Sequence, residues 1–167
     1  MHVPSETPVD ACIALGSNLG DREATLRRAL VGIAVLPGTR LVAASGFLET
    51  APVGPPQPAY LNAAAHVATS LAPRELLGHL LRIEREHGRD RSRGGRWGSR
   101  PLDLDLLTHG ETVMDEPGLT LPHPRLHERA FVLEPLAQIA PGLRIAGLGR
   151  TVAELLRDLR VASGGAR

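Results

Sequence analysis

The chain has 167 residues and a formal net charge of +1, and its 19 basic side chains other than histidine are all arginine. This length suits one domain with a sizeable core, and a charge so close to zero gives no overall field favouring nucleic acid or a membrane surface. The absence of lysine excludes a P-loop, which needs a Gly-Lys step, and also excludes Schiff-base chemistry through a lysine.

Cysteine and aromatic residues are scarce. Cys12, the single cysteine, lies in the apolar run 11–15 and is expected to be a small buried side chain. A single cysteine excludes an intrachain disulfide, which favours a reducing compartment, and no apolar stretch reaches transmembrane length. We therefore expect a cytoplasmic protein. The chain has two Phe, one Tyr and one Trp, so the position of each carries information.

Hydrophobic periodicity and turn residues predict one domain over 1–167, with loose ends at 1–9 and 162–167. In chain order, the expected elements are a strand at 10–15, a helix over about 22–35, strands at 39–49 and 60–69, a helix over about 73–87, a strand through Asp103 and Asp105, a small hairpin with turns at 109–110 and 116–118, and helices over about 125–138 and 151–160.

The order β-α-β-β-α-β, followed by extra elements, resembles the ferredoxin-like arrangement of helices on an antiparallel sheet. We therefore expect an α+β fold with helices packed on the sheet faces, as in a three-layer α/β/α sandwich. The segment Gly16–Gly20 resembles a phosphate-cradling turn, but it lacks the glycine pattern of a Rossmann or P-loop site. It is interpreted as a strand-to-helix turn that could line a site.

A proline-rich loop over 49–59 leads into the strand that carries Tyr60 and Asn62. Prolines limit the disorder of such a loop, which could form a rigid pocket wall. Tyr60 and Asn62 share one face of the strand, since side chains alternate. A ring beside a carboxamide suits a flat heterocycle, which stacks on the ring and bonds the amide. A surface tyrosine and a turn asparagine are an equally good interpretation.

Arginine is concentrated between Arg82 and Arg100, where seven arginines stand against three acids. The glycines of this segment permit conformations closed to other residues, and the arginines can grip phosphate oxygens bidentately. Such a loop could close over a triphosphate and exclude water. A solvated basic loop or an RNA contact is the alternative. The phosphate interpretation is favoured because paired carboxylates follow within a few residues.

Asp103 and Asp105 stand at alternate positions of the strand that follows the arginine loop. With a rise of about 3.3 Å per residue, their Cα atoms lie roughly 6.5 Å apart and their side chains share a face. Leucines at 102, 104 and 106 point the other way, into a core. Oxygen ligands of this kind suit Mg²⁺, which one or two carboxylates and substrate phosphates usually hold. A solvated strand face is the alternative.

The segment 121–131 supplies further candidates. His123 and Arg129 could add positive donors toward phosphate, and Phe131 could supply a second aromatic face. A capped helix with Phe131 in the core is the stronger interpretation from this segment alone.

Together these segments closely resemble the family of 6-hydroxymethyl-7,8-dihydropterin pyrophosphokinases, which are enzymes of folate biosynthesis. The resemblance spans about residues 10–140, and the run Arg-Trp-Gly-x-Arg-x-Leu-Asp-Leu-Asp at 96–105 is its most specific part. The other matching pieces are 14–20, 49–54 with 60–63, and 121–124.

The resemblance implies a Mg²⁺-dependent transfer of the β,γ-pyrophosphoryl unit of ATP to the pterin hydroxymethyl group, with release of AMP. It implies two Mg²⁺ ions on Asp103 and Asp105, and charge neutralisation by Arg89 and Arg100 as catalytic residues. The nucleotide contacts that it implies are Glu84, Arg91, Arg96, His123 and Arg129. The pterin contacts that it implies are Thr50, Val53, Tyr60, Asn62, Trp97 and Phe131.

Two rival functions remain open at this stage. The first is a nucleotide- or pterin-binding protein without catalysis, and the intact carboxylate pair argues against it. The second is an RNA-binding module built on the arginine loop. The near-neutral charge and the lack of an aromatic platform argue against that function. We expect small-molecule substrates, no nucleic acid, no membrane and a monomer.

Overall fold

The computed structural model describes residues 7–51, 56–88 and 101–164. In chain order its elements are β1 (Val9–Ser17), α1 (Arg22–Ala34), β2 (Thr39–Ala44), β3 (Leu48–Thr50), β4 (Tyr60–Thr69), α2 (Pro73–Glu86), β5 (Asp103–His109), β6 (Met114–Glu116), β7 (Leu119–Leu121), a 3-10 helix (Leu126–Glu128), α3 (Ala130–Ile139), β8 (Arg144–Ile145), β9 (Arg150–Thr151) and α4 (Val152–Ala162). Helices and an antiparallel sheet confirm the α+β class.

The main sheet has the order β2-β4-β1-β5, and β3 also pairs with β4. β1 lies inside the sheet and pairs antiparallel with β4 on one side and with β5 on the other. Its apolar sequence fits this position, because a strand flanked on both sides and covered on both faces needs few polar side chains. β6 with β7 and β8 with β9 form two small separate hairpins.

Two hydrophobic clusters lie on opposite faces of the sheet. The first contains the odd-numbered β1 residues Ala11, Ile13 and Leu15, together with buried side chains of α1 and α2. The second contains Cys12, Ala64 and buried side chains of α3 and α4. Strand alternation explains the division, since neighbouring residues of β1 point to opposite faces.

β4 is unusually rich in small side chains. Ala63, Ala64 and Ala65 are all at most 2% exposed, so alanine is buried on both faces of this strand. The sequence showed only weak alternation here because alanine occupies inward positions of either face. The adjacent helices therefore pack against a strand whose side chains project only a short distance from the sheet.

Two predicted elements are corrected by the structure. The strand expected at 39–49 is two strands, because Ser45 leaves the ladder and its hydroxyl accepts a hydrogen bond from the Ala64 amide at 2.9 Å. The helix expected over about 125–138 begins only at Ala130. The preceding residues close a 3-10 turn instead, with the Glu128 amide bonded to the Arg125 carbonyl.

Cys12 is buried, as expected, with 1% of its surface exposed. Burial raises the pKa of its thiol to about 11, although a hydrogen bond with Thr108 acts in the opposite direction. The thiol is therefore protonated at neutral pH and serves as a small apolar side chain. None of the helices described in the structure is long and apolar enough to cross a membrane.

Candidate active site

The site is built on the end of β5 that carries the two aspartates. Asp103 pairs with Gly16 of β1, and Asp105 pairs with Ala14. Both aspartates are half-buried, whereas Leu104 between them is buried in the first hydrophobic cluster. The two carboxylates therefore share the opposite face of the sheet, as the alternation predicted.

A row of paired residues connects this strand to the aromatic-bearing strand. Gly16 pairs with Asp103 on one side and with Asn62 of β4 on the other. Neighbouring strands lie about 4.8 Å apart, so Asn62 stands roughly 10 Å from Asp103 at the Cα atoms. The carboxamide and the carboxylate thus lie at opposite sides of one small surface.

Gly16 leaves space in the middle of that row. A Cβ atom at this position would lie 3.2 Å from Asn62 Oδ1 and 3.6 Å from Tyr60 Cδ1. The tyrosine and the asparagine therefore both lean over β1, which brings together the two residues that the sequence placed on one strand face. The absence of a side chain at Gly16 allows this close approach.

Asn62 is held in a defined orientation by β3. Its Nδ2 atom donates to Thr50 Oγ1 at 2.6 Å, and the Asn62 side chain is largely buried. Thr50 pairs with Tyr60 in the ladder, so these three side chains form one cluster. Because Nδ2 is bonded to Thr50, the amide oxygen faces toward Gly16.

The segment just before Tyr60 is attached to the turn after β1. Asn18, which is 1% exposed, donates from Nδ2 to Gln57 Oε1 at 2.8 Å and to the Pro58 carbonyl at 3.2 Å. Arg22 donates to the Ala59 carbonyl at 2.9 Å and lies 3.5 Å from Glu49. Asn18 in the turn and Arg22 at the start of α1 therefore hold the segment that leads into β4.

His123 lies close to the aspartate pair. Its amide donates to the Leu107 carbonyl at 2.8 Å, which attaches it to β5. Burial lowers the pKa of the imidazole, and Arg129 and Arg125 lower it further, against the opposing effect of Asp105. Nδ1 accepts from the Arg125 amide at 3.2 Å, so a neutral ring carries its proton on Nε2. His123 is thus an N–H donor, rather than a positive charge, at neutral pH.

Phe131 and Arg129 lie at the beginning of α3. The Arg129 guanidinium carbon is 5.6 Å from the centre of the Phe131 ring, which is within the range of a cation–π contact. At the other end of α3, Gln138 Oε1 accepts a hydrogen bond from the Gly46 amide at 2.9 Å. Gly46 lies between β2 and β3, so α3 is bonded to the connection that leads to Thr50.

Glu84 occupies an unexpected position for a nucleotide contact. It lies near the end of α2 and is 3% exposed, and its Oε2 accepts from the Leu104 amide at 2.7 Å. The described contact is therefore with the backbone of β5, between the two aspartates. Its direct role toward a nucleotide stays a prediction.

Several predicted site residues lie outside the described residues. These are Val53, Arg89, Arg91, Arg96, Trp97 and Arg100. Among the predicted residues that the structure describes, it brings together Thr50, Tyr60 and Asn62 on one side, and Asp105 with His123 on the other.

The carboxylates fit a hard divalent cation. Across the described ranges, no group of three or more histidine, cysteine, aspartate or glutamate side chains could hold a metal ion. Asp103 and Asp105 alone would supply part of a coordination shell, which leaves positions for phosphate oxygens and water. Mg²⁺ typically binds in this way.

The contacts of Asn18, Arg22 and Gln138 are not predictable from the sequence. Each joins segments far apart in the chain, and no local pattern reports such a hydrogen bond. The signal that could have indicated Asn18 was its position directly after a buried strand, where an inward amide needs partners.

Known proteins are similar to this chain over most of its length. Residues 12–141 match the family model described as 7,8-dihydro-6-hydroxymethylpterin-pyrophosphokinase. A Haemophilus influenzae protein named 2-amino-4-hydroxy-6-hydroxymethyldihydropteridine pyrophosphokinase is 44% identical over 151 residues, covering 90% of this chain and 92% of the relative. A Pseudomonas aeruginosa protein of the same name is 48% identical, covering 86% and 88%.

Solved structures share the fold. A crystal structure of Plasmodium falciparum HPPK-DHPS wild type with pteroate superimposes with a TM-score of 0.73 at 13% identity, covering 98% of this chain. The chain spans 45% of the length of that protein. At this identity the likeness concerns the fold alone.

We predict that Asn18→Ala loosens the start of β4. The change removes two hydrogen bonds of a buried side chain, which together stabilise by about 2 kcal/mol. Amide hydrogen exchange of residues 57–61 is expected to accelerate, and the Tm is expected to fall. Arg28→Ala, a change at an exposed position of α1, serves as the control. Unchanged exchange in the Asn18 variant would contradict the role assigned to this side chain.

Proposed function

The chain belongs to the 7,8-dihydro-6-hydroxymethylpterin-pyrophosphokinase family, and we infer that it transfers pyrophosphate from ATP to 6-hydroxymethyl-7,8-dihydropterin. The products are the pterin diphosphate and AMP, and the reaction belongs to folate biosynthesis. The observation that carries this function is the row of Asp103, Gly16 and Asn62, with carboxylates at one side and a heterocycle-binding cluster at the other.

The pterin would lie over Gly16, in the space that the glycine leaves. Tyr60 and Phe131 would supply aromatic faces, and the oriented Asn62 carboxamide with Thr50 would bond the edge of the heterocycle. Val53 and Trp97 complete this proposed set. Stacking together with a defined donor–acceptor edge is the usual basis of selectivity for a flat heterocycle in a pocket.

The triphosphate would lie along β5. Asp103 and Asp105 would hold two Mg²⁺ ions, which when bound would neutralise phosphate oxygens and bring reactants into line. Arg89 and Arg100 would stabilise charge on the transferred group, while Arg91, Arg96 and Arg129 would bind the nucleotide. The neutral His123 would donate a hydrogen bond through Nε2.

In the reaction, the pterin hydroxymethyl oxygen forms a bond to the β-phosphorus of ATP. The bond from that phosphorus to the oxygen bridging the α-phosphate breaks, and AMP leaves with its electron pair. The hydroxyl proton passes to solvent, and no protein base is assigned. The contribution of the protein is therefore positioning and electrostatic stabilisation, as in phosphoryl transfer generally.

The finer description of the fold belongs to the same proposal. The strand order β2-β4-β1-β5 and helices on both faces support a ferredoxin-like, three-layer arrangement. A single domain and a monomer complete the proposal.

The decisive experiment measures AMP release from Mg·ATP, with and without 6-hydroxymethyl-7,8-dihydropterin. AMP that appears only with the pterin is the expected result. Binding of pterin or ATP in calorimetry without AMP would instead point to a binding protein. Neither binding nor turnover would refute the proposed function.

Removing either carboxylate is expected to abolish turnover. Asp103→Asn and Asp105→Asn keep the side-chain size but remove a charge that would hold Mg²⁺, so we expect kcat below about one-hundredth of the wild-type value. Asp115→Asn, an exposed aspartate of β6, is the matched control and should retain activity. Near-normal turnover of either site variant at saturating Mg²⁺ would contradict the metal assignment.

Gly16→Ala is expected to weaken pterin binding selectively. The new methyl group would lie 3.2 Å from Asn62 Oδ1 and would displace the carboxamide or fill the pterin space. We expect the KM for pterin to rise about tenfold, with a smaller change in the KM for ATP. Gly78→Ala on α2 is the control, because a Cβ there meets nothing within 4 Å. An unchanged pterin KM in a folded Gly16 variant would refute this placement.

A further inference from the structure

We propose that Glu84 is a positioning residue that fixes the backbone between the two metal-binding aspartates. This inference rests on the proposed function, because it concerns how β5 presents Asp103 and Asp105. Its basis is the hydrogen bond from the Leu104 amide to Glu84 Oε2 at 2.7 Å.

The geometry of an edge strand explains why this contact is needed. Among the described strands, β5 lies at the end of the sheet order and pairs with β1 alone. In an antiparallel strand, successive amides point alternately toward and away from the neighbouring strand. The Leu104 amide is bonded to Glu84, so it points outward, whereas those of Asp103 and Asp105 point toward β1. Glu84 therefore provides the partner that a further strand would otherwise supply.

A carboxylate in this position is costly for stability alone. Glu84 follows Leu80 by four residues and lies on the buried stripe of α2 with Leu76, Leu80 and Ile83. Burial of a charged carboxylate costs several kcal/mol unless hydrogen bonds compensate, and an apolar residue is the usual choice on such a stripe. The acid at this position forgoes apolar packing, and the hydrogen bond from the Leu104 amide is one of the contacts that it gains.

The contact lies at the point where the strand positions both carboxylates. Leu104 is the single residue between Asp103 and Asp105, and its side chain is anchored in the first hydrophobic cluster. With the amide held by α2 and the side chain held by the core, the strand segment has little freedom to twist. The spacing and direction of the two carboxylates are consequently set before metal binds.

Three variants test this role. Glu84→Gln keeps a side-chain oxygen that accepts the Leu104 amide but removes the charge. Glu84→Met keeps a similar volume but removes the acceptor. Glu86→Met, two residues along the same helix and exposed, is the matched control, because it breaks only the surface pair with Arg82.

The first readout is exchange of the Leu104 amide in the protein without metal or substrate. We expect the Met variant to exchange about tenfold faster, and the Gln and Glu86 variants to retain protection. Equal protection of Leu104 in the Met variant would overturn the proposal. This arm remains decisive even if the wild-type protein releases no AMP, which would refute the proposed function separately.

The second readout is the dependence of kcat on Mg²⁺ concentration. Loss of a direct partner of a metal ligand typically costs 10–100-fold, and Glu84 bonds the residue between the two ligands, so we expect the lower end of that range: the Met variant should need about tenfold more Mg²⁺ or lose kcat by that factor. The Gln variant is expected to rescue both values, which a direct nucleotide or metal contact through the negative charge would not allow. A Gln variant as impaired as the Met variant would therefore overturn positioning in favour of direct contact.

Thermal melting separates these effects from instability. A lower Tm with wild-type Mg²⁺ dependence in the Met variant would mean that Glu84 only stabilises the fold, which would also overturn the proposal. If the Met variant does not fold, the Gln variant decides: retained kcat and Mg²⁺ dependence support positioning, and loss of either refutes it.

Discussion

The central position of β1 is the constraint on which the site depends. Pairing with β4 and β5 in fixed register places Asp103, Gly16 and Asn62 in one row. A shift of one residue in either pairing would move the carboxylates or the carboxamide to the opposite face of the sheet, because the side-chain period is two. The apolar side chains of β1 resist that shift, since each face buries its own hydrophobic cluster. The strand register that packs the two hydrophobic clusters is therefore also the register that sets the geometry of the site.

Polar contacts at the margins of the sheet hold segments that the strand register alone does not fix. Glu84 bonds the outer backbone of β5, Asn18 and Arg22 hold the segment before Tyr60, and Gln138 joins α3 to the β2–β3 connection. Each contact joins an element of the hydrophobic framework to a segment that carries proposed substrate-binding residues. A reaction that relies on positioning more than on an acid or base benefits from such an arrangement.

The sequence was informative wherever the information is local. Alternation placed the two aspartates on one face, and hydrophobic periodicity predicted a helix over about 22–35, where α1 is found at Arg22–Ala34. The interruption of the strand at Ser45 could not be predicted, because the bond that draws this residue out of the ladder comes from Ala64 in another strand. The backbone contact of Glu84 was not predicted either, and the signal that could have indicated it is a charged residue four positions after Leu80 on an apolar stripe. Tertiary hydrogen bonds, rather than propensities, decide such cases.

The alanines of β4 have a consequence for how the protein can vary over evolution. Ala63, Ala64 and Ala65 are buried against both sheet faces, so any larger side chain there adds volume beneath a helix. At Ala64, which belongs to the cluster under α3, such a change would push α3, and with it Phe131, away from the row over Gly16, whereas at Ala63 or Ala65 it would displace α1 or α2 on the other face. Sequence drift at these three positions is thus expected to be confined to small residues.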